Sequence, residues 1–140
     1  MKSQSTVIVR YAETDQMGIV HHSVYPVWYE AARTEFIKKL GITYTQMEQL
    51  GILLPVAEVT CRYFFPAHYE DELTVTVSVK NMTPARIEFA YVVTKPGRAK
   101  PINTGTTLHA FAGTDLRPMN MKKKFPELYR KIEAAYLEET

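Results

Sequence analysis

Ser23-Val-Tyr-Pro-Val-Trp28-Tyr-Glu-Ala-Ala-Arg33-Thr-Glu-Phe36-Ile-Lys-Lys-Leu40-Gly41 is the stretch on which the reading of the fold turns. Val24, Val27, Trp28, Ala31, Ala32, Phe36 and Leu40 recur at steps of three and four, and Gly41 follows as a stop. That spacing predicts a helix of about five turns at 3.6 residues per turn. Ser23 suits the N-cap, and Pro26 is acceptable in a first turn, where backbone donors lack partners anyway. Trp28 and Phe36 on the stripe, flanked by Tyr25 and Tyr29, ask for cover around most of the helix.

The strands on its C-terminal side supply that cover. Leu73, Val75, Val77 and Val79 alternate with Thr74, Thr76, Ser78 and Lys80, the signature of a strand with one buried face. A turn over Asn81 to Pro84 leads to a second alternation, Ile87, Phe89, Tyr91 and Val93. Pro96-Gly97 makes the next turn, and Asn103 to Ala112 a further strand. Val56 to Phe65 is another alternating run, ended by Pro66, and Thr6 to Val9 a short first strand. Thr45 to Leu50 reads as one short helical turn before Gly51, and the tail from Pro126 as an amphipathic helix with Leu128, Ile132, Ala135 and Tyr136 on one face. The expected fold class is α+β: a five-stranded antiparallel sheet curled around one long central helix, plus a C-terminal helix, in a single domain over residues 1–140.

Between the first strand and the long helix lies Tyr11-Ala-Glu-Thr-Asp15-Gln-Met-Gly18-Ile-Val-His-His22. Asp15 and Gly18 give this loop turn chemistry, and the helix begins a few residues past Asp15. By residue type alone Asp15 reads as a cap or turn residue. First-turn amides, however, lack intrahelical acceptors and carry the positive end of the helix dipole, so a carboxylate near them can take part in acyl-transfer chemistry.

Composition narrows the rest. The chain of 140 residues is 46% apolar and 23% charged, enough for one ordinary core. Its 17 basic and 15 acidic groups leave a net charge of +2, too balanced for nonspecific nucleic-acid binding. No run approaches the ~20 apolar residues of a membrane span, and Met1-Lys-Ser-Gln-Ser lacks the hydrophobic core of a signal peptide, so a cytoplasmic location is expected. Cys61, in a strand with Ala57, Val59, Tyr63 and Phe65 on its apolar side, reads as a buried structural thiol rather than a nucleophile. His21, His22, His68 and His109 show none of the usual metal-ligand spacings, and there is neither a Gly-x-Ser-x-Gly elbow nor a glycine-rich phosphate loop, so no metal and no bound cofactor is expected. Glu30 with Arg33 and Glu35 with Lys39 read as surface helix pairs, and Glu58 as an exposed strand residue.

The run Tyr11-x3-Asp15-x2-Gly18-Ile-Val-x-His22-x2-Tyr25, with Trp28-Tyr29-Glu30-x-Ala32-Arg33-x-Glu35 after it, resembles the signature of the hotdog-fold acyl-CoA thioesterases of the 4-hydroxybenzoyl-CoA thioesterase type. Tyr63-x2-Pro66-Ala67-x-Tyr69-x-Asp71-x-Leu73 and Thr104-Gly105-x-Thr107-x-His109 resemble the same family, so the similarity spans nearly the whole chain. The resemblance implies a hotdog fold, dimers joined edge to edge into one continuous sheet and often paired into tetramers, with active sites at the dimer interface. It implies an essential carboxylate at Asp15 and a backbone amide at His22 that polarises the thioester carbonyl, with Asp15 either attacking the carbon or acting as base on water. Gly18, Tyr25 and Trp28 would be substrate-binding, with Tyr25 and Trp28 shaping the acyl pocket.

Coenzyme A carries phosphates that need cations; Arg86 after the Pro84 turn is the first candidate, and Arg117 with Lys122-Lys123-Lys124 the second. The expected partner is therefore an acyl-CoA with a short or aromatic acyl group. An acyl-carrier-protein thioesterase that docks an acidic helix on the Arg117 to Lys124 cluster, and a noncatalytic acyl-thioester binder, are the alternatives. Two positions depart from the family: Val24 stands where Asn is common and cannot make that residue's hydrogen bonds, and His68 stands after Pro-Ala where Arg is frequent.

Overall fold

The alternations resolve into paired strands because each presents one apolar face that only a helix or another sheet can cover. In the computed structural model, which describes residues 1–138, the chain runs β1 (Lys2–Ile8), α1 (Tyr25–Lys39), α2 (Tyr44–Gln49), β2 (Val56–Tyr63), β3 (Glu72–Met82), β4 (Arg86–Thr94), β5 (Asn103–Ala110), a one-turn α3 (Met121–Lys124) and α4 (Pro126–Leu137). The strands form one antiparallel sheet in the order β1-β3-β4-β5-β2, with Val77 opposite Tyr91 and Tyr91 opposite Gly105. Leu73, Val75, Val77 and Val79 of β3 and Ile87, Phe89, Tyr91 and Val93 of β4 are buried and form the sheet side of the core. Among the described residues no helix is long and apolar enough to cross a membrane.

The helix α1 buries a narrower and rotated stripe compared with the one its apolar spacing predicts. Tyr25, Trp28, Tyr29, Ala32, Arg33, Phe36 and Ile37 face inward, while Val27 and Ala31 are exposed. Tyrosine and arginine turn inward because their polar tips find partners there: Tyr29 donates to Asn103, and Arg33 to Tyr44 and Tyr91. Arg33 is thus a buried cation rather than half of a surface pair with Glu30, and Glu35 lies beside Lys38 instead of Lys39, whose ammonium donates to Ser3 at 2.8 Å. Ser23 does not cap α1. It lies in a 3-10 turn, His22–Val24, and the N-cap of α1 is Val24, with no side-chain cap.

Two further differences are at the sheet edges. β1 starts at Lys2 rather than Thr6, because pairing with β3 carries Ser3 and Ser5 into the sheet although neither has strand-forming apolar character. β2 is the opposite edge, and its apolar residues Val56, Val59 and Tyr63 are exposed, as is Phe64. Cys61 is half-buried, with its thiol 3.6 Å from the Tyr29 hydroxyl.

Gly105 of β5 is required by a close approach. A Cβ there would sit 2.4 Å from the Thr60 carbonyl oxygen and 2.5 Å from the Tyr29 hydroxyl, so the helix could not lie as close to the sheet.

Candidate active site

Asp15 stands at the start of a tight turn. Its amide donates to the Ile19 carbonyl at 2.8 Å, its carbonyl accepts from Gly18 at 2.9 Å, and Thr14 and Val20 bridge across the base. Gly18 holds a φ of 79°, the left-handed region in which a side chain is strained, and that closes the turn. One carboxylate oxygen of Asp15 accepts from the Met17 amide at 2.8 Å, which fixes the group while leaving the other oxygen without a partner among the described residues.

Beyond the turn, the chain enters α1 through the 3-10 turn at His22. The His21 carbonyl accepts from Val24 at 3.0 Å, so the planar trans peptide aims the His22 amide the opposite way, out of the helix start. That amide has no acceptor among the described residues. Tyr63, reaching over from β2, donates to the His22 carbonyl at 2.8 Å and ties the turn to the sheet edge.

Asp15 and His22 line one cavity of ≈ 330 Å³, walled by Tyr25, Tyr63, Phe64 and Phe65. Tyr25 and Tyr63 meet edge to face, with ring centroids 5.4 Å apart. Burial, together with the proximity of Cys61, pushes both phenols up to about 12, so both remain protonated hydrogen-bond donors at neutral pH. The aromatic walls lower the local polarity around a donor fixed here, while Tyr63 and Phe64 stay half exposed to solvent.

The other site candidates are placed apart from this cavity. Gly18 shapes the turn but does not line it. Trp28 lies behind Tyr25, at 4.9 Å between ring centroids, and its indole donates to Glu13 at 3.0 Å. Arg86 lines a separate cavity with Asn81, Thr83 and Glu88, and Arg117 is exposed beside Asp115 at 3.9 Å. In this chain, neither arginine touches the cavity holding Asp15.

Glu13 is the residue that sequence reading overlooks. A 3-10 turn over Tyr11–Glu13 buries it, and its carboxylate accepts from the Arg10 amide at 2.8 Å, from Trp28, and from the Arg10 guanidinium at 3.4 Å. Burial works against its charge, but those hydrogen bonds outweigh it and hold the carboxyl below the usual range. The Glu13 carbonyl also accepts from His21 at 2.9 Å. Glu13 therefore pins both ends of the Asp15 loop to the side of α1. The signal in the sequence is Trp28, since a buried indole N–H needs an acceptor and the loop before the helix offers the Glu13 carboxylate.

A sheet wrapped on one long helix, with a carboxylate turn at that helix's start, defines the hotdog class. The chain belongs to the thioesterase-like superfamily, whose pattern it matches over residues 9–132. It is 34% identical to a Bacillus subtilis (strain 168) protein provisionally named acyl-CoA thioesterase YneP, over 95% of this chain and 96% of that one. Among solved structures, a DHNA-CoA thioesterase from Staphylococcus aureus superposes with a TM-score of 0.89 at 31% identity, covering 99% of this chain and 95% of the other. A Thermus thermophilus protein, TT1821, described as hypothetical, superposes at 0.87 with 32% identity, over 95% and 98% of the two chains.

Proposed function

We propose that this protein is a thioester hydrolase that cleaves an acyl-CoA to a carboxylic acid and free CoA. The observation that carries the reading is the shared cavity: a carboxylate with one uncommitted oxygen and an outward-aimed helix-start amide line the same aromatic-walled space. The His22 amide donates to the thioester carbonyl, where negative charge develops, a contact whose loss in comparable sites costs ~3 kcal/mol of barrier. Asp15 either attacks the carbonyl carbon, giving a mixed anhydride that water then opens, or takes a proton from the attacking water. In both cases the carbon–sulfur bond breaks and the thiolate leaves to be protonated. Tyr25, Phe64 and Phe65 suit a short or aromatic acyl group, which accords with the DHNA-CoA named for the Staphylococcus aureus relative.

The working unit in this reading is a homo-oligomer. The edge strand β2 leaves Val56, Val59 and Tyr63 exposed and its outer backbone groups unpaired, so a second copy of the same edge can extend the sheet and close the cavity wall that Tyr63 and Phe64 begin. Sedimentation of the native chain is expected to give a dimer or tetramer.

The test is a panel of short, long and aromatic acyl-CoAs assayed for thiol release with the native chain and with Asp15→Asn. The variant is expected to lose on the order of 10³-fold or more in kcat. Equal rates in both proteins would sink the mechanism. Binding without hydrolysis anywhere in the panel would make the protein a thioester binder instead.

A further inference from the structure

The connection between β4 and β5, Lys95-Pro-Gly-Arg98-Ala-Lys100, carries three cations, and one of them meets a wall of the Asp15 cavity. Lys95 is occupied, its ammonium 2.9 Å from the Asp71 carboxylate. Arg98 has no carboxylate within ion-pair distance among the described residues. Its guanidinium carbon instead sits 3.8 Å from the centre of the Phe65 ring, and Phe65 is a wall of the cavity that holds Asp15. The backbone that carries the ring is anchored, because the amides of Phe64 and Phe65 donate to the Ile102 carbonyl at 2.9 and 3.2 Å. The Arg98 amide donates to Lys95 at 3.2 Å, closing the turn that presents the side chain.

An exposed arginine ordinarily loses much side-chain freedom when it takes a ligand. Here the cation–π contact with Phe65 has already positioned the charge, and it uses the face of the guanidinium while the N–H donors around its edge stay available. A fixed planar fork with unspent donors suits a phosphate, which it can meet with two parallel hydrogen bonds. In an acyl-CoA the pantetheine arm separates the phosphates from the thioester, so the cation that receives them belongs at the mouth of the cavity and not beside the carboxylate. Arg98 meets this cavity at its Phe65 wall, without lining the space itself, whereas Arg86 lines a different cavity.

We propose that Arg98, held over the cavity wall by Phe65, is the phosphate anchor of the site and reads the CoA part of the substrate. The proposal rests on the acyl-CoA reading of the cavity. In this role Arg98 discriminates between a thioester that carries phosphates and one that does not, without taking part in bond breaking.

The experiment compares native protein, Arg98→Ala and Arg98→Lys on an acyl-CoA and on the matching acyl-N-acetylcysteamine thioester, which has no phosphate. For Arg98→Ala, KM for acyl-CoA is expected to rise about tenfold with kcat within about twofold, as for loss of binding shared by ground and transition states. The truncated thioester should be hydrolysed equally by both proteins, and Arg98→Lys should recover part of the loss. If KM rises alike for both thioesters, Arg98 only props Phe65 and the proposal falls. No change for either also overturns it. Calorimetric titration of CoA and inorganic phosphate into the same variants separates this outcome from failure of the hydrolase reading. A native protein that hydrolyses nothing but loses CoA affinity about tenfold on Arg98→Ala leaves the anchor standing while the proposed activity fails.

Discussion

The Asp15 turn and the buried polar chain on β5 are both built from side chains that hydrogen-bond, yet they are finished to different degrees. On β5, His109 Nδ1 lies 3.0 Å from the Leu54 carbonyl, which can only accept, so Nδ1 carries the proton and Nε2 accepts from Thr107 at 2.8 Å. The Thr107 hydroxyl must then accept from Tyr91 at 2.6 Å, and Tyr91 from Arg33 at 3.0 Å. Each hydroxyl and the ring N–H in that line donate onward in one direction. Among the described residues the Asp15 turn keeps an unpartnered carboxylate oxygen and an unpartnered amide at His22, on two residues that line one cavity. The difference separates a network that holds a fold from one that is left open to act on something else.

The comparison is broken most sharply at Arg33. Its charge is buried with no carboxylate within ion-pair distance among the described residues, and hydroxyl oxygens accept from it; Arg33→Ala removes that donor and the packing of the stem together. The expected cost is ~3–4 kcal/mol in chemical denaturation, the range for breaking a buried charged network. Asp15→Asn, by contrast, should leave the denaturation midpoint within ~0.5 kcal/mol, as a partly exposed turn residue does. If both variants lose stability alike, the two regions are not distinct.

Acid is the next lever. Burial, and after it the charge of Arg33, drives His109 down to about 4, outweighing the pull of its Leu54 hydrogen bond. The unfolded chain takes up that proton near 6.5 while the folded chain refuses it, so stability falls as pH drops from ~6.5 to ~4 and then levels, by about 3 kcal/mol in all. Denaturation midpoints across that window check it, and His109→Asn should flatten the slope. Glu13 acts in a lower window. Its folded carboxyl lies below the ordinary range, so its contribution is present above the unfolded value and disappears as pH falls through the folded one. Glu13→Gln keeps the shape but loses the charge that binds the Arg10 amide and Trp28. It should cost ~1–2 kcal/mol and lower kcat together with stability, because the Asp15 loop loosens.

How much of this was legible in the sequence depends on whether a residue's role is set by its neighbours along the chain. The β3 and β4 alternations and the α4 stripe are local periodicities, and the elements match them closely. That Asp15 and His22 meet at one cavity was legible because turn and helix start lie within one short stretch. Arg33, Glu13 and the inward Ser3 were not: each is buried by a partner far away or by a turn that composition does not encode, and a charged residue read alone belongs on the surface. Arg86 was read from its place after a turn, and the register puts that turn at the end of β3 away from Glu72, where β1 leads into the Asp15 loop.

Val24 gives the smallest and most discriminating effect. If the Asn common at this position in the family were needed to orient the helix start, Val24→Asn would raise activity. In this chain, though, the orientation is already supplied by its neighbours. The His21 ring accepts from the Ser23 amide at 3.2 Å and is 2.7 Å from the Ser23 hydroxyl, while Tyr63 holds the His22 carbonyl from the sheet. Val24 itself is half-buried against the core, so Asn would lose apolar contact worth ~0.5–1 kcal/mol and gain no partner that the turn lacks. The expected outcome is kcat unchanged within about twofold and a small drop in melting temperature. His21→Ala should be the more damaging change to kcat, because it removes the hydrogen bonds that stand in for the absent amide side chain. A gain of activity at Val24→Asn, with His21→Ala silent, would mean that the helix start is not preorganised and that its amide is less ready for a substrate than the geometry of His22 implies.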